Sequence, residues 1–280
     1  MIRLARFIAL ATVALGTLLA LWTLPALRAD DAATKKGKQF ILNVGGTEDA
    51  NGGAITGKVI FEGARKDPPK SRWIMMNSDK YCAGLHDNQP VRPETYIFGK
   101  AQDDTHAALV NVFVYVSKGL EGKTFAAPKA AAEMDQEGCM YTPHLRGVMV
   151  GQDFKILNSD ATLHNVKLNS KNNGAFNEGM PVQGMEIVKK FDKVEMPMEF
   201  KCDVHAWMNA HVFVMAHPFY AVTQEDGSFT IKGLSPGKYT LSVWHEFDKF
   251  KAVKNDVEVT VEAGKTAEGV DFTFVPPGAK

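Results

Sequence analysis

The sequence predicts an all-β protein built from two β-sandwich domains. Three observations point there. Apolar and polar residues alternate in short runs such as AITGKVIFEG (Ala54–Gly63) and ALVNVFVYVSKG (Ala108–Gly119), the period-2 pattern of half-buried strands. Turn signals punctuate the runs at Gly151-Gln152, Asp226-Gly227 and Pro236-Gly237, where glycine or proline permits a tight reversal. Beyond the N-terminal leader no stretch carries the apolar stripe of an amphipathic helix. At 280 residues the chain can supply two small cores, and many short strands at this spacing argue for sandwiches or barrels.

Along the chain, Arg3 and Arg6 precede an apolar run from Phe7 to Leu24, then Pro25 and a small-residue site ending at Ala29. That is the pattern of a secretory signal peptide over 1–29. Leu27 at the −3 position and the length of the run equally suit an uncleaved N-terminal membrane anchor. In both cases the remainder is exported, to the periplasm or beyond. Residues 30–53 form a polar leader. The first strands of one sandwich fall in 54–125, which also holds a long irregular stretch, Lys66–Thr105, with Cys82 and His86. A second domain spans 126–217. There Cys139–Leu168 gives two strands about the Gly151 turn, Asn169–Gly184 a polar loop, and MEIVKKFDK, VEMPMEFKC and AHVFVMAHPF further strands. The last part, 218–280, alternates again through EDGSFTIKGLSPGKYTLSVW and NDVEVTVEAGKTAEGVDFTFV.

Thirty-two Lys+Arg against 32 Asp+Glu leave no basic surplus, which argues against nucleic acid as a partner. Three cysteines do not make a disulfide scaffold. They allow one disulfide and one free thiol.

The stretch KCDVHAWMNAHVFVM sets Cys202, His205 and Met208 within seven residues. Thiolate, imidazole and thioether together suit a copper ion that changes oxidation state: sulfur holds Cu(I), imidazole suits both states, and a weak axial methionine tunes the potential. Three ligands on one loop cannot surround an ion, so a second imidazole must come from an upstream strand end. NSDATLHNV supplies it: His164, followed by Asn165. The ligand set is then His164, Cys202, His205 and Met208, with Val204, Ala206 and Trp207 as an apolar shell. The plainer reading is a small buried cysteine, a structural histidine and a gap-filling methionine. A Cys–His nucleophilic pair lacks a third orienting group, so the expectation is a carrier rather than an enzyme.

These two segments resemble the cupredoxins, the amicyanin-like branch above all. GQDFKILNSDATLHNV is similar to the family's upstream ligand segment. Cys-x2-His-x2-Met, framed by strands in FKCDVHAWMNAHVFV, is similar to its short ligand loop, and the likeness covers about Cys139–Ala216. It implies a Greek-key sandwich and one mononuclear type 1 (blue) copper ion. The protein would then carry single electrons between periplasmic redox partners such as a cytochrome or a dehydrogenase. It also implies that Asn165 bonds across to the cysteine loop, and that the ring edge of His205, beside Trp207 and Pro181, is a surface electron portal. The competing reading of Trp207 is plain core. The binuclear copper centre of this family needs a second cysteine in the loop, which is absent.

EDGSFTIKGLSPGKYTLSVW resembles the carboxypeptidase regulatory-like (transthyretin-like) sandwich through its D-G-x-F and L-x-P-G-x-Y-x-L turns. The opening strands of that pattern, ITGKVIFEG and VNVFVYV, lie far upstream. The resemblance therefore implies one sandwich from 54–125 and 218–280, interrupted by the copper domain. Three sequential modules remain open. So does a different class of function: a carbohydrate- or protein-binding module with an accessory copper-binding or storage site. Tyr81, Tyr96 and Phe98 are too few for a sugar platform. Cys82 and Cys139, the cysteines left over in an exported chain, are expected to pair. A second metal site from Cys82, His86, Cys139 and His144 is the alternative. Met180, Met185, Met196, Met198 and Met215 read as core packing, His211 and His217 as structural histidines, and His245 as a domain-interface residue.

Overall fold

Period-2 alternation becomes strand where a run buries one face and leaves the other wet, as at Ser228–Leu234, whereas Leu145–Met149 and Asn209–Met215 are buried at nearly every position. The computed structural model describes residues 49, 51–63, 72–95, 97–101, 103 and 105–278. The signal or anchor reading of 1–29, nearly all of the leader and Tyr96 lie outside the described residues. Among those described, the chain forms twenty strands and one short helix, and no helix is long and apolar enough to cross a membrane.

The order begins β1 (Gly53–Glu62), α1 (Lys80–Leu85), β2 (Ile97–Ala101), β3 (His106–Val110) and β4 (Val112–Lys118). Next come β5 (Ala132–Glu137), β6 (Met140–Thr142), β7 (Leu145–Met149), β8 (Asp153–Asn158) and β9 (His164–Asn169). Then follow β10 (Ala175–Met180), β11 (Glu186–Lys190), β12 (Glu195–Lys201) and β13 (Asn209–Met215). The chain closes with β14 (Tyr220–Val222), β15 (Ser228–Leu234), β16 (Gly237–His245), β17 (Lys251–Ala252), β18 (Asp256–Val261), β19 (Thr266–Ala267) and β20 (Phe272–Val275).

Strands β5–β13 make two sheets of their own, ordered β10-β9-β12-β13-β7 and β11-β8-β5-β6. Between them lies a core with Phe154, Ile156, Val166, Leu168, Phe200 and Val212. The flanking strands make a second sandwich. One sheet runs β17-β20-β1-β3-β2, with β15 and β19 also on β1; the other runs β14-β4-β16-β18. Strands from before and after 132–215 share both outer sheets. Ile55 on β1 pairs with Ile231 on β15, and Leu241 on β16 with Val116 on β4.

The two sandwiches meet through Phe113, Leu145, Phe213, Met215 and Tyr220. Phe113 and Phe213 stack with centroids 3.8 Å apart. Gly147 lets Tyr220 lie against β7: a Cβ there would fall 2.1 Å from the ring.

Helix α1 arises in the stretch read as irregular. At six residues it is too short to show a helical period. Its N-cap is Asp79, whose Oδ1 accepts from the backbone N–H groups of Tyr81 (2.7 Å) and Cys82 (3.1 Å). The Cys82–Cys139 disulfide fastens it to the inner sandwich. Met76, Ile74, Tyr81 and Val91 pack around that bridge together with Met140 and Trp207.

Candidate metal centre

His164 opens β9, and Cys202 follows the last residue of β12. The loop from Cys202 to Met208 closes on itself: Cys202 N–H donates to Met208 O (3.2 Å) and Met208 N–H to His205 O (2.9 Å). Buried Tyr141 ties the two segments together, since its hydroxyl reaches Asn165 O at 2.9 Å and Lys201 O at 3.2 Å. The fold thus brings His164, Cys202 and His205 into one group whose ligand atoms lie within 4.8 Å of one another. Met208, 1% exposed, is buried in the same apolar cluster as Cys202.

The tautomers follow from the neighbours. His164 Nε2 lies 2.9 Å from Asp160 Oδ2, and His205 Nε2 lies 3.1 Å from Asp79 Oδ2. A carboxylate only accepts, so each Nε2 carries a proton. That leaves both Nδ1 atoms turned inward, 2.9 Å apart, with Cys202 Sγ 3.9 Å from His205 Nδ1. Two imidazole lone pairs at that distance would repel, so either a proton on one Nδ1 or a bound cation lies between them. The donor set fits a thiophilic metal with mixed nitrogen and sulfur ligands, and the carboxylates behind the histidines are the usual orienting partners of such ligands.

The sulfur is prepared as a thiolate. Burial disfavours its charge, but His164, His205 and the N–H groups of Asn165 and His205 outweigh burial and bring Cys202 down to about 6. Those backbone N–H groups lie 3.5 and 3.3 Å from Sγ. His164 is buried too, yet Asp160 and the Cys202 sulfur push it up to about 9. Asn165 holds the loop: its Oδ1 accepts from Asp203 N–H (2.6 Å) and Val204 N–H (3.2 Å).

His205 is not at the surface. It is 1% exposed, against the expectation of a ring edge open to partners. The Asp79 carboxylate and Cys82, whose Sγ is 3.7 Å from Nε2, cover that edge, so the segment carrying α1 is a lid. Trp207 is half-buried. It packs 4.9 Å from the His205 ring and donates its Nε1–H to Cys139 O at 3.0 Å. On its other flank, with Ala206 and Asn209, it lines a cleft of about 510 Å³ that reaches Cys202.

The grouping Cys82, His86, Cys139 and His144 does not form. The two cysteines are oxidised to each other, His86 Nε2 bonds Gly138 O, and the His144 ring faces Glu246. Two residues of the centre escaped the sequence reading. Asp160 stands four positions before His164, a spacing that could have flagged it. Asp79 is remote in the chain and left no such signal.

A family model described as polysaccharide lyase family 4, domain II matches residues 194–269. This stretch takes in β12, the Cys202–Met208 loop and β13 of the inner sandwich as well as β14–β19 of the outer one, under a different description from the regulatory-like one suggested by its turns. No curated protein matches the chain. Among solved structures, a purple cupredoxin from Nitrosopumilus maritimus is 20% identical, with 30% of this chain and 99% of that one covered and a TM-score of 0.26. A methionine-to-glutamine variant of amicyanin in its Cu(I) form is 17% identical, with 36% and 98% covered and a TM-score of 0.29. The copper-containing nitrite reductase of Thermus scotoductus SA-01 is 15% identical, with a TM-score of 0.29; the alignment spans 35% of this chain and only 25% of that one.

Proposed function

We propose that the protein is an exported, mononuclear copper protein that carries single electrons between periplasmic redox proteins such as a cytochrome or a dehydrogenase, and is not itself an enzyme. The observation behind this reading is the pair of inward-facing imidazole nitrogens beside a thiol already biased to thiolate. When bound, copper supplies a one-electron couple. The chain's own residues do the rest. Asp79 and Asp160 keep the protons on the outer ring nitrogens of His205 and His164, so the inner lone pairs stay available. Asn165 and His205 direct backbone N–H groups at the sulfur, which favours its charge. Tyr141, Asn165 and the disulfide-fastened lid hold the ligand segments still, and a site that does not rearrange between oxidation states exchanges electrons quickly. Met208 would hold the ion weakly through its thioether sulfur and tune its potential. With His205 covered, the path for electrons runs through the cleft beside Trp207 and Ala206.

The test is spectroscopic. Cu(II) added to the protein should give an intense visible thiolate-to-copper band. Cys202→Ser should abolish it, and Met208→Leu should only move it and the potential. A colourless wild type, or colour that persists in Cys202→Ser, overturns the reading. The family match at 194–269 keeps a second reading in view, a glycan-binding module with an accessory copper site. Glycan-array binding by the metal-free protein would favour it.

A further inference from the structure

A second cluster of ligating side chains lies at the seam of the two sandwiches. His144 precedes β7, His211 sits on β13, and Glu246 follows β16 on the other sandwich. The first two are fixed by the backbone, since His211 N–H donates to His144 O at 2.9 Å. Their rings stand nearly perpendicular, with centroids 5.7 Å apart. Glu246 reaches between them, with Oε2 2.7 Å from His144 Nε2 and Oε1 3.3 Å from His211 Nε2. One ligand atom from each of the three residues lies within 4.8 Å of the other two.

An ordinary ion pair accounts for only half of this. His144 Nδ1 faces Asn209 O at 3.2 Å and Glu94 Oε2 at 3.6 Å. Both are acceptors, so Nδ1 bears the proton and Nε2 faces Glu246. His211, however, is 7% exposed and has no hydrogen-bond partner on either ring nitrogen. Its contact with Glu246 is close but off hydrogen-bonding geometry. A buried polar group left unpaired is costly, and a carboxylate beside two imidazoles is an N/O donor set suited to a divalent cation. A tetrahedral ion with bonds of about 2.0–2.1 Å would hold its ligands roughly 3.3 Å apart; the Glu246–His211 contact is at that spacing and the Glu246–His144 contact is shorter. Asn209 Nδ2 donates to Glu246 Oε1 at 3.2 Å, the kind of support that orients a ligating carboxylate. Trp244 walls the site 5.1 Å from His211, and Glu94 and Asn209 also line the large cleft.

We propose that His144, His211 and Glu246 form a second metal site, a two-histidine, one-carboxylate centre for a divalent ion of the zinc class, with an open position. The ion takes the place of the proton on His144 Nε2 and gives His211 the partner it lacks. The site draws ligands from both sandwiches, so metal binding also clamps them together.

The test uses the full chain carrying Cys202→Ala, which removes the thiolate of the first centre, and Zn(II) as the probe. The expected results are one tightly bound zinc per chain and a zinc anomalous peak bounded by His144, His211 and Glu246. Adding Glu246→Gln or His211→Ala should weaken that zinc by more than about 100-fold, since loss of a supporting residue alone costs 10–100-fold. The proposal is overturned if no zinc binds, if the peak lies only at His164 and His205, or if both added substitutions leave affinity unchanged. Should those variants fail to fold, the anomalous map of the Cys202→Ala protein decides alone. The result is independent of the first site: Glu246→Gln with Cys202 intact should retain the visible copper band, and a wild type without that band would leave the zinc measurement standing.

Discussion

A histidine that faces a carboxylate and one held by backbone and aromatic contacts respond to acid in opposite ways. His164 has Asp160 and is pushed up; His217 is pushed down to about 4, chiefly by burial. Its Nδ1 accepts from Phe219 N–H at 3.2 Å, and it stacks on Phe219. In the unfolded chain a histidine takes its proton near 6.5. Between about 6.5 and 4 the unfolded state therefore binds more protons than the folded one, and stability falls as pH falls through that window. His245, also brought to about 4 by burial, acts in the same direction. His217→Asn keeps an acceptor near the Nδ1 position without titrating. Its urea midpoint should drop less between pH 7 and pH 5 than that of wild type; equal drops would remove His217 from the account.

Helix α1 shows how one side chain can serve an element and a site at once. Asp79 Oδ1 caps the helix, while Oδ2 accepts from His205 Nε2 and, at 3.0 Å, from Thr162 Oγ1. The two roles separate by mutation. Asp79→Ser keeps a capping oxygen but gives up the carboxylate behind His205; Asp79→Ala gives up both. Both should weaken copper binding about 10–100-fold, and only alanine should lose a further ~1 kcal/mol of folding stability, the usual worth of a cap. Copper competition with a chelator and urea unfolding measure the two effects. Wild-type copper affinity in both variants would show that the lid does not support the site. The disulfide has the same double role: it closes a span of 57 residues, worth about 4 kcal/mol in the chain-entropy account, and it pins the lid.

At the scale of the whole molecule, pairing across the insertion decides which pieces can stand alone. In the piece 220–280, β15 lacks β1 and β16 lacks β4. Apolar faces such as Phe229, Ile231, Tyr239 and Leu241, buried in the full chain, would lie open to water. Expressed by itself, Tyr220–Lys280 should show no cooperative urea transition by circular dichroism. A sharp transition would favour sequential modules. The piece 126–217 keeps both of its own sheets and should unfold cooperatively.

The sequence by itself determined the β class and the ligand loop, for a physical reason in each case. Alternation at period 2 and glycine turns are local properties, and Cys202, His205 and Met208 sit close enough in the chain for their chemistry to be read directly. His164 could be sought because one loop cannot encircle an ion. Tertiary structure alone decided what surrounds those candidate ligands. Asp79 reaches His205 from 126 positions away, and nothing in the local pattern of Ser78-Asp79-Lys80 marks it as a partner rather than a cap. The same contact turned the expected surface edge of His205 into a buried one. The sequence set His144 in a different grouping, with Cys82, His86 and Cys139, and read His211 as structural, while Glu246 carried no signal. They become a cluster only because β7 lies beside β13, and because the two sandwiches pack through Phe113, Phe213 and Tyr220 with Gly147 leaving room. Spacing along a chain records local chemistry, whereas the convergence of distant side chains depends on which sheets pack and in what register.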